Sequence, residues 1–343
     1  MSTAPSRMRA EIEEIPQAAA RLIRDGREAL IAAGAALRQR NPVMIATIAR
    51  GSSDHAAAYL KYAVELVAGV PVASIGPSVT SIYGRALRLE GCAAVAVSQS
   101  GKSPDIVAMT EAARQGGALT LALTNTPDSP IAAGADIPLD LMAGTERSVA
   151  ATKSFVNSVV AGLCVLAHWR EDAALISALD RLPDIFERSI ALDWTEFAAA
   201  LEGRPSLFVL GRGPAYAIAA EAALKFKETC GVHAEAYSAA EVLHGPARIV
   251  GPGFPVLTLC APDTAEAAVA DVADRLHGQG ARVFATSGLV RRARSLPGVT
   301  TGHPIADALP LVVSFYVFVE QLARKLGFDP DNPPHLNKVT ETR

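Results

Sequence analysis

Ala93-Ala94-Val95-Ala96-Val97 followed by Ser98-Gln99-Ser100-Gly101-Lys102-Ser103 and then Pro104-Asp105-Ile106-Val107-Ala108-Met109 is the stretch that decides the fold. A continuous apolar run of this length reads as a strand covered on both faces. It empties into a loop of hydroxyls with one Gly and one Lys, and a Pro then opens a helix-patterned segment. Pro tolerates the first helical turn because its missing N–H would be unpaired there anyway. The remaining free N–H groups of such a helix start attract anions, phosphate above all. An ordinary Ser-rich turn has the same appearance, so this loop alone leaves both readings open.

Working outward, the same order of strand, Gly/Ser turn and helix recurs. Val43 to Ala49 is strand-like, Arg50-Gly51-Ser52-Ser53 is a turn, and a helix runs through Ala56 to Tyr62. Further strands are expected at Val72 to Ile75 and Thr120 to Thr124, and one or two packing helices between Met8 and Arg40. Strands alternating with helices predict a mainly parallel sheet sandwiched by helices in three αβα layers. Ligands bind outside the carboxyl ends of such strands, where the Gly51 and Gly101 turns fall.

Beyond the helical stretch Ser154 to Trp169 and a charged, helix-patterned bridge from Glu171 to Glu202, the pattern restarts. Leu207-Phe208-Val209-Leu210-Gly211-Arg212-Gly213 echoes Ile45 to Gly51, with the Arg-Gly pairs 162 positions apart. The pairs Leu60-Lys61 and Leu224-Lys225 lie 164 apart, and internal duplication accounts for both. The duplication fails at one informative place. The position 162 after Ser98 is Cys260, in Thr258-Leu259-Cys260-Ala261-Pro262-Asp263, which has no Ser/Gly cradle. The expected organisation is a helical segment 1–40, a phosphate-binding module 41–170, a helical linker 171–202, a second module 203–328 and a tail 329–343.

Half of the 343 residues are hydrophobic and 20% are charged, enough apolar chain for two cores. A net charge of −3 lacks the basic footprint of a nucleic-acid binder. Cys92, Cys164, Cys230 and Cys260 form no C-x-x-C pair, so neither a disulfide framework nor a zinc site is expected, and no cofactor or metal is called for. The apolar runs Ser158 to Trp169 and Ala308 to Val319 are too short to span a bilayer, and the N-terminus has no signal-peptide pattern. A cytoplasmic protein without membrane partners is expected.

Chemistry concentrates in the second half. Glu221, Lys225 and Glu228 sit at i, i+4 and i+7, on one helical face. An exposed ion-pair ladder is the ordinary explanation. Here Ala219, Ala220, Ala222, Ala223, Leu224 and Phe226 surround the charges, which points to burial, and buried charges need partners or a task. A histidine side chain suits proton transfer, and His244, before Gly245-Pro246, is the stronger candidate than His233 or His55. Glu146 and Val149-Ala150-Ala151-Thr152-Lys153 follow a turn at Ala143-Gly144-Thr145 and read as a helix start. The tail from Asn332 to Thr340 carries two prolines and cannot be helical throughout.

Taken together, Gly51-Ser52-Ser53, Ser98-Gln99-Ser100-Gly101, Val149 to Lys153, Glu221 to Glu228, His233-Ala234-Glu235, His244-Gly245-Pro246 and Asn337-Lys338-Val339-Thr340 resemble the SIS (sugar isomerase) family. Within it they resemble the isomerase half of glutamine:fructose-6-phosphate amidotransferase and, more closely, SIS-type glucosamine-6-phosphate deaminases. The resemblance implies tandem SIS modules with flavodoxin-like sheets. It further implies that Gly51, Ser53, Ser98, Gln99, Ser100 and Ser103 hold the C6 phosphate of a hexose or hexosamine, with Glu146, Val149 and Ala150 also contacting substrate. Glu228 would shuttle a proton between C1 and C2, with Lys225 at the reactive end. His244 would open the sugar ring from the neighbouring subunit of a homodimer, and Lys338 would form an imine with the open-chain ketose.

Only about 40 residues precede the first strand and no nucleophilic Cys follows Met1, so a glutaminase module is not expected. The expected reaction is glucosamine 6-phosphate plus water giving fructose 6-phosphate and ammonia. Galactosamine 6-phosphate, or a fructosamine 6-phosphate in a deglycase reaction, would use the same chemistry. A non-catalytic sugar-phosphate sensor would need the phosphate loop but not Glu228, His244 and Lys338. A Rossmann dehydrogenase would rest on Gly211-Arg212-Gly213 alone, a weak match.

Overall fold

A computed structural model of the chain describes residues 5–338, so Val339 and Thr340 of the tail motif lie outside the described residues. The chain divides into two compact units. The first comprises Gln17–Glu146, Lys153–Asp180 and the chain from Asn337, and the second the chain up to Pro16 with Arg147–Thr152 and Arg181–Leu336.

The first unit is built on strands β1 (Ile45–Ile48), β2 (Val72–Ser74), β3 (Ala93–Val97), β4 (Leu119–Thr124) and β5 (Ile137–Asp140). All are parallel, in the order β2-β1-β3-β4-β5, which is the flavodoxin-like order. Successive side chains alternate between the faces. Ala46, Ile48, Ala94, Ala96 and Ala122 pack with Ile106, Met109 and Ala113 of α6 (Pro104–Gln115) and with Ile131 of α7 (Pro130–Gly134). Ile45, Thr47, Val95, Leu121 and Leu123 face the other way, towards Leu37 of α3 (Arg27–Arg40), Leu60 of α4 (Ser52–Ala68) and Val165 of α8 (Lys153–Arg170). The small Ala side chains of β1, β3 and β4 let α6 and α7 lie close on their face of the sheet.

The second unit repeats the plan with β6 (Ser206–Gly211), β7 (His233–Ser238), β8 (Pro255–Thr258), β9 (Arg282–Ala285) and β10 (Arg294–Ser295), parallel in the order β10-β9-β8-β6-β7. Numbered within its own repeat this is again 2-1-3-4-5. Phe208, Leu210, Val256, Val283 and Ala285 cover one face with α13 (Glu266–Gly278). α12 (Pro214–Cys230), α14 (Leu309–Lys325) and α11 (Thr195–Leu201) carry Phe226, Phe315, Phe318 and Phe197, and Phe197 meets Phe284 of β9 at 5.1 Å between ring centroids.

Two sequence expectations need refinement. The region between Met8 and Arg40 forms three helices rather than one or two: α1 (Arg7–Glu13), α2 (Ile15–Asp25) and α3. Pro16 has no N–H to bond back and its ring crowds the carbonyl four residues earlier, so α1 ends ahead of it, and Gly26 separates α2 from α3. The repeat register is 162 through the whole first helix. Gly51 and Gly213 share φ and ψ of 57°, −134° and 59°, −137°, and the capping Gly69 and Gly231 share 67°, 17° and 60°, 20°. Lys225 therefore corresponds to Ala63, and its echo with Lys61 is two positions out of register.

The bridge between the repeats is helical: α9 (Ala173–Asp180) falls in the first unit, and α10 (Leu182–Ile190) and α11 in the second. Among the described residues no helix is long and apolar enough to cross a membrane. The two apolar runs flagged above are the buried bodies of α8 and α14.

Candidate active site

In the first unit the carboxyl ends of β1 and β3 open onto a cavity of about 340 Å³ lined by Arg50, Gly51, Ser53, Ser98, Gln99, Ser100, Ser103, Asp105 and Lys338. Its walls follow from local geometry. Gly51 holds a backbone conformation open only to glycine and turns the chain straight from β1 into α4. The loop after β3 folds on itself: the Gly101 N–H donates to Ser98 Oγ at 3.1 Å, and the Asn125 N–H donates to the Gln99 carbonyl at 3.1 Å. Ser103 precedes Pro104 at the start of α6, where the Ile106 N–H donates to Asp105 Oδ1 at 2.9 Å and the Val107 N–H to the Ser103 carbonyl at 3.0 Å. Four serines, Ser53, Ser98, Ser100 and Ser103, thus border one space.

Lys338 borders this cavity and its Nζ lies 3.1 Å from Glu146 Oε2. Glu146 is buried, and it also accepts the Ser154 N–H at 3.1 Å and the Ser154 hydroxyl at 2.5 Å. Lys102 is exposed and is not part of the lining. Gln99 and Glu146 also border a second, polar cavity of about 500 Å³ with Arg21, Asn125 and Asp140.

In the second unit Glu221, Lys225 and Glu228 form a single chain of ion pairs. Lys225 Nζ lies 3.1 Å from Glu221 Oε1 and 2.6 Å from Glu228 Oε2, with Glu221 and Lys225 fully buried and the Glu228 side chain 20% exposed. Burial works to lower the Lys225 pKa, but Glu221 and Glu228 more than offset it and raise it, so the ammonium stays charged. Tyr316 of α14 donates its hydroxyl to Glu221 Oε1 at 3.0 Å. The buried end of the chain is therefore fixed, and the carboxylate at the other end is the accessible one.

His244 is exposed, on the 3-10 turn Glu241–His244 that follows β7, and Gly245 after it has φ 156°. Ala150 is buried and Val149 half-buried on the 147–152 segment of the second unit. The structure thus gathers Gly51, Ser53, Ser98, Gln99, Ser100, Ser103 and Lys338 around one cavity, with Glu146 behind Lys338. It gathers Lys225 and Glu228 into a second cluster. His244, Val149 and Ala150 stand on segments of their own in the second unit.

Three residues at these clusters were not singled out from the sequence. Arg50 had served only as a marker of the repeat, and its Nε donates to Asp105 Oδ2 at 2.7 Å. Asp105 had read as part of a helix start, yet it is 1% exposed. Tyr316 lies within an apolar run with no local signal. All four cysteines are free and buried, and burial pushes the thiols of Cys164, Cys230 and Cys260 up to about 12.

The family profile described as SIS domain matches residues 37–167 and 200–287. A glutamine–fructose-6-phosphate aminotransferase (isomerizing) of Symbiobacterium thermophilum is 35% identical over 311 residues, covering 86% of this chain and 51% of that protein. The chain spans about half the length of the curated relatives it matches. Among solved structures, a provisionally named phosphosugar isomerase from Silicibacter pomeroyi is 55% identical with a TM-score of 0.93, covering 95% of this chain and 100% of that one. The C-terminal domain of glucosamine-fructose-6-phosphate aminotransferase from Francisella tularensis shares the fold, with a TM-score of 0.84 at 24% identity over 96% of this chain and 99% of that one.

Proposed function

The chain belongs to the SIS domain family, and from that premise we propose that it is a SIS-type phosphosugar isomerase acting as a glucosamine-6-phosphate deaminase. The observation that carries this reading is the convergence of Ser53, Ser98, Gln99, Ser100 and Ser103 with the Lys338 amine on one cavity of sugar-phosphate size. Hydroxyls and helix-start amides grip the phosphate at C6, which does not react, and so position the carbons that do. We assign phosphate binding to the module 41–170, proton transfer to 203–328 and closure of the site to the tail 329–343. Val149 and Ala150 contact the bound sugar.

His244, supplied by the partner subunit of a homodimer, opens the ring by moving a proton between the ring oxygen and O1. Glu228 takes the proton from C2, made acidic by the neighbouring C1 carbonyl, and returns it to C1. Lys225 offsets the negative charge that builds up on the way. The C2 amine becomes an imine. Lys338 exchanges with it to release ammonia, and water then cleaves the lysine imine to give the ketone of fructose 6-phosphate. Atoms balance as glucosamine 6-phosphate plus water giving fructose 6-phosphate plus ammonia.

The test is to incubate the protein with glucosamine 6-phosphate and follow ammonia and fructose 6-phosphate together. Equimolar appearance of both is expected. Tight sugar-phosphate binding without ammonia would make the protein a sensor, and ketose formation from glucose 6-phosphate without ammonia loss would make it a plain aldose-ketose isomerase.

A further inference from the structure

A hexosamine 6-phosphate brings about two negative charges to its phosphate end near neutral pH. Serine hydroxyls and backbone amides supply donors but no formal charge. Of the cations lining the phosphate cavity among the described residues, Lys338 is already paired with Glu146 and the other is Arg50. The cavity also has a buried carboxylate in its lining, Asp105, 1% exposed, which would work against an anion unless its charge were tied up. It is tied up on both oxygens: Oδ1 accepts the Ile106 N–H at 2.9 Å and Oδ2 accepts the Arg50 Nε–H at 2.7 Å.

The way that pair is made leaves a function for Arg50. A guanidinium has five donors in a rigid fork. The Arg50 contact to Asp105 uses Nε, and the side chain remains 49% exposed at the rim of the cavity. Asp105 holds the guanidinium through Nε, on a side chain that lines the cavity. The second unit gives an internal control. At the register of 162, Arg50 corresponds to Arg212 and Asp105 to Ala267, so the arginine recurs where there is no phosphate loop but its buried anchor does not. An ion pair needed only to join the first strand to the third helix of a repeat would serve both repeats equally.

We propose that Arg50, held by Asp105, is a phosphate ligand of this site, reading the dianion through a fixed guanidinium fork, with Asp105 as its positioning residue. The proposal rests on the sugar-phosphate reading of the cavity and adds to it a charged contact that the hydroxyl loop cannot supply. It also sets specificity: a phosphosugar is favoured over its neutral counterpart, and over a sugar carrying a single negative charge at C6.

Calorimetric titration of the whole protein with glucose 6-phosphate, glucose and inorganic phosphate tests it, and does not depend on turnover. Charge-assisted hydrogen bonds are worth about 1.5–3 kcal/mol, so Arg50→Gln should weaken glucose 6-phosphate and inorganic phosphate by roughly 10- to 100-fold. Arg50→Lys keeps the charge without the fork and should fall between. Lys102→Gln removes the same charge from the loop but outside the cavity lining, and should change affinity less than about 2-fold. Thermal melts run alongside separate the alternatives. A lowered Tm with affinity unchanged in Arg50→Gln would make the pair structural and overturn the proposal, as would equal losses in Arg50→Gln and Lys102→Gln. If the unaltered protein binds neither glucose 6-phosphate nor phosphate, the sugar-phosphate reading itself is wrong.

Discussion

The two units carry one backbone and two chemistries. Gly51 and Gly213 turn the chain with the same φ and ψ to within a few degrees, and each is followed by a helix of 17 residues closed by a left-handed glycine. Around that shared frame nearly every polar choice differs. Ser52-Ser53 corresponds to Pro214-Ala215, and Ser98 to Ser103 corresponds to Cys260 to Ala265, with Asp263 standing where the first unit has Gly101. Conversely, Glu221, Lys225 and Glu228 of α12 correspond to Tyr59, Ala63 and Leu66 of α4. The apolar pattern and the glycines keep the fold. The loop and helix residues that the core does not need have diverged into a serine-lined cavity in one unit and a buried chain of ion pairs in the other.

This division can be broken at its strongest point. Glu228→Gln keeps the shape of the side chain and removes the base, so turnover should fall by about 10³-fold or more while glucose 6-phosphate affinity stays within a few-fold. Equal loss of both would mean that α12 serves binding rather than chemistry. Because His244 is assigned to the neighbouring subunit's site, subunits carrying His244→Ala and subunits carrying Glu228→Gln should regain activity when unfolded and refolded together. Mixtures no more active than the separate variants would place both residues in a site of one subunit.

The shared turn offers a more even test. Gly51 and Gly213 sit in a region of φ and ψ that L-residues avoid, and alanine there costs about 1–3 kcal/mol of backbone strain. An added Cβ meets open space at Gly51 and only the Asp263 carboxylate, 4.0 Å away, at Gly213. Gly51→Ala and Gly213→Ala should therefore lower the melting temperature by similar amounts. Only Gly51→Ala should weaken glucose 6-phosphate binding, by about 10-fold. Equal binding losses would contradict the assignment of the cradle to the first unit alone.

Much of this was legible in the sequence because it is written locally. Strand, Gly turn and helix recur at a fixed spacing, and the buried charges of α12 are announced by the alanines wrapped around them. The Ser98 loop, whose sequence fits an anion cradle and an ordinary Ser-rich turn equally, lines a cavity. What was not legible depends on residues far apart in the chain. Asp105 meets Arg50 across 55 positions and Tyr316 meets Glu221 across 95, and nothing near Asp105 or Tyr316 in sequence marks them as partners. The Lys61 and Lys225 echo misled for a related reason. Helix periodicity brings similar residues into coincidence every few positions, and only the matched glycines at both ends of the helix fix the register. Lys61 bonds Glu65 and the Val72 carbonyl on the side of the first unit, whereas Lys225 is enclosed between two carboxylates.

The smallest expected effect concerns the place where the second unit lacks the serine loop of the first. Asp263 is held above the usual carboxylate range, mainly by burial, with Glu266 and Asp307 pushing further upward and the Ala265 N–H opposing them. A carboxyl raised in the folded state favours the protonated fold. Its stabilising effect is complete below the unfolded-state pKa, near 4, and is lost as pH rises through the folded-state value. At neutral pH Asp263 is therefore a charge the fold would rather not carry, although partial exposure screens it to less than about 1 kcal/mol. Asp263→Asn keeps an oxygen to accept the Ala265 N–H, now 2.7 Å from Asp263 Oδ1. The variant should melt about 1–3 °C higher than the parent at pH 7, with the gap closing on acidification towards pH 4. A gap independent of pH, or a loss of stability at pH 7, would show that the carboxylate is stabilised where it stands, at the position that Gly101 takes in the first unit.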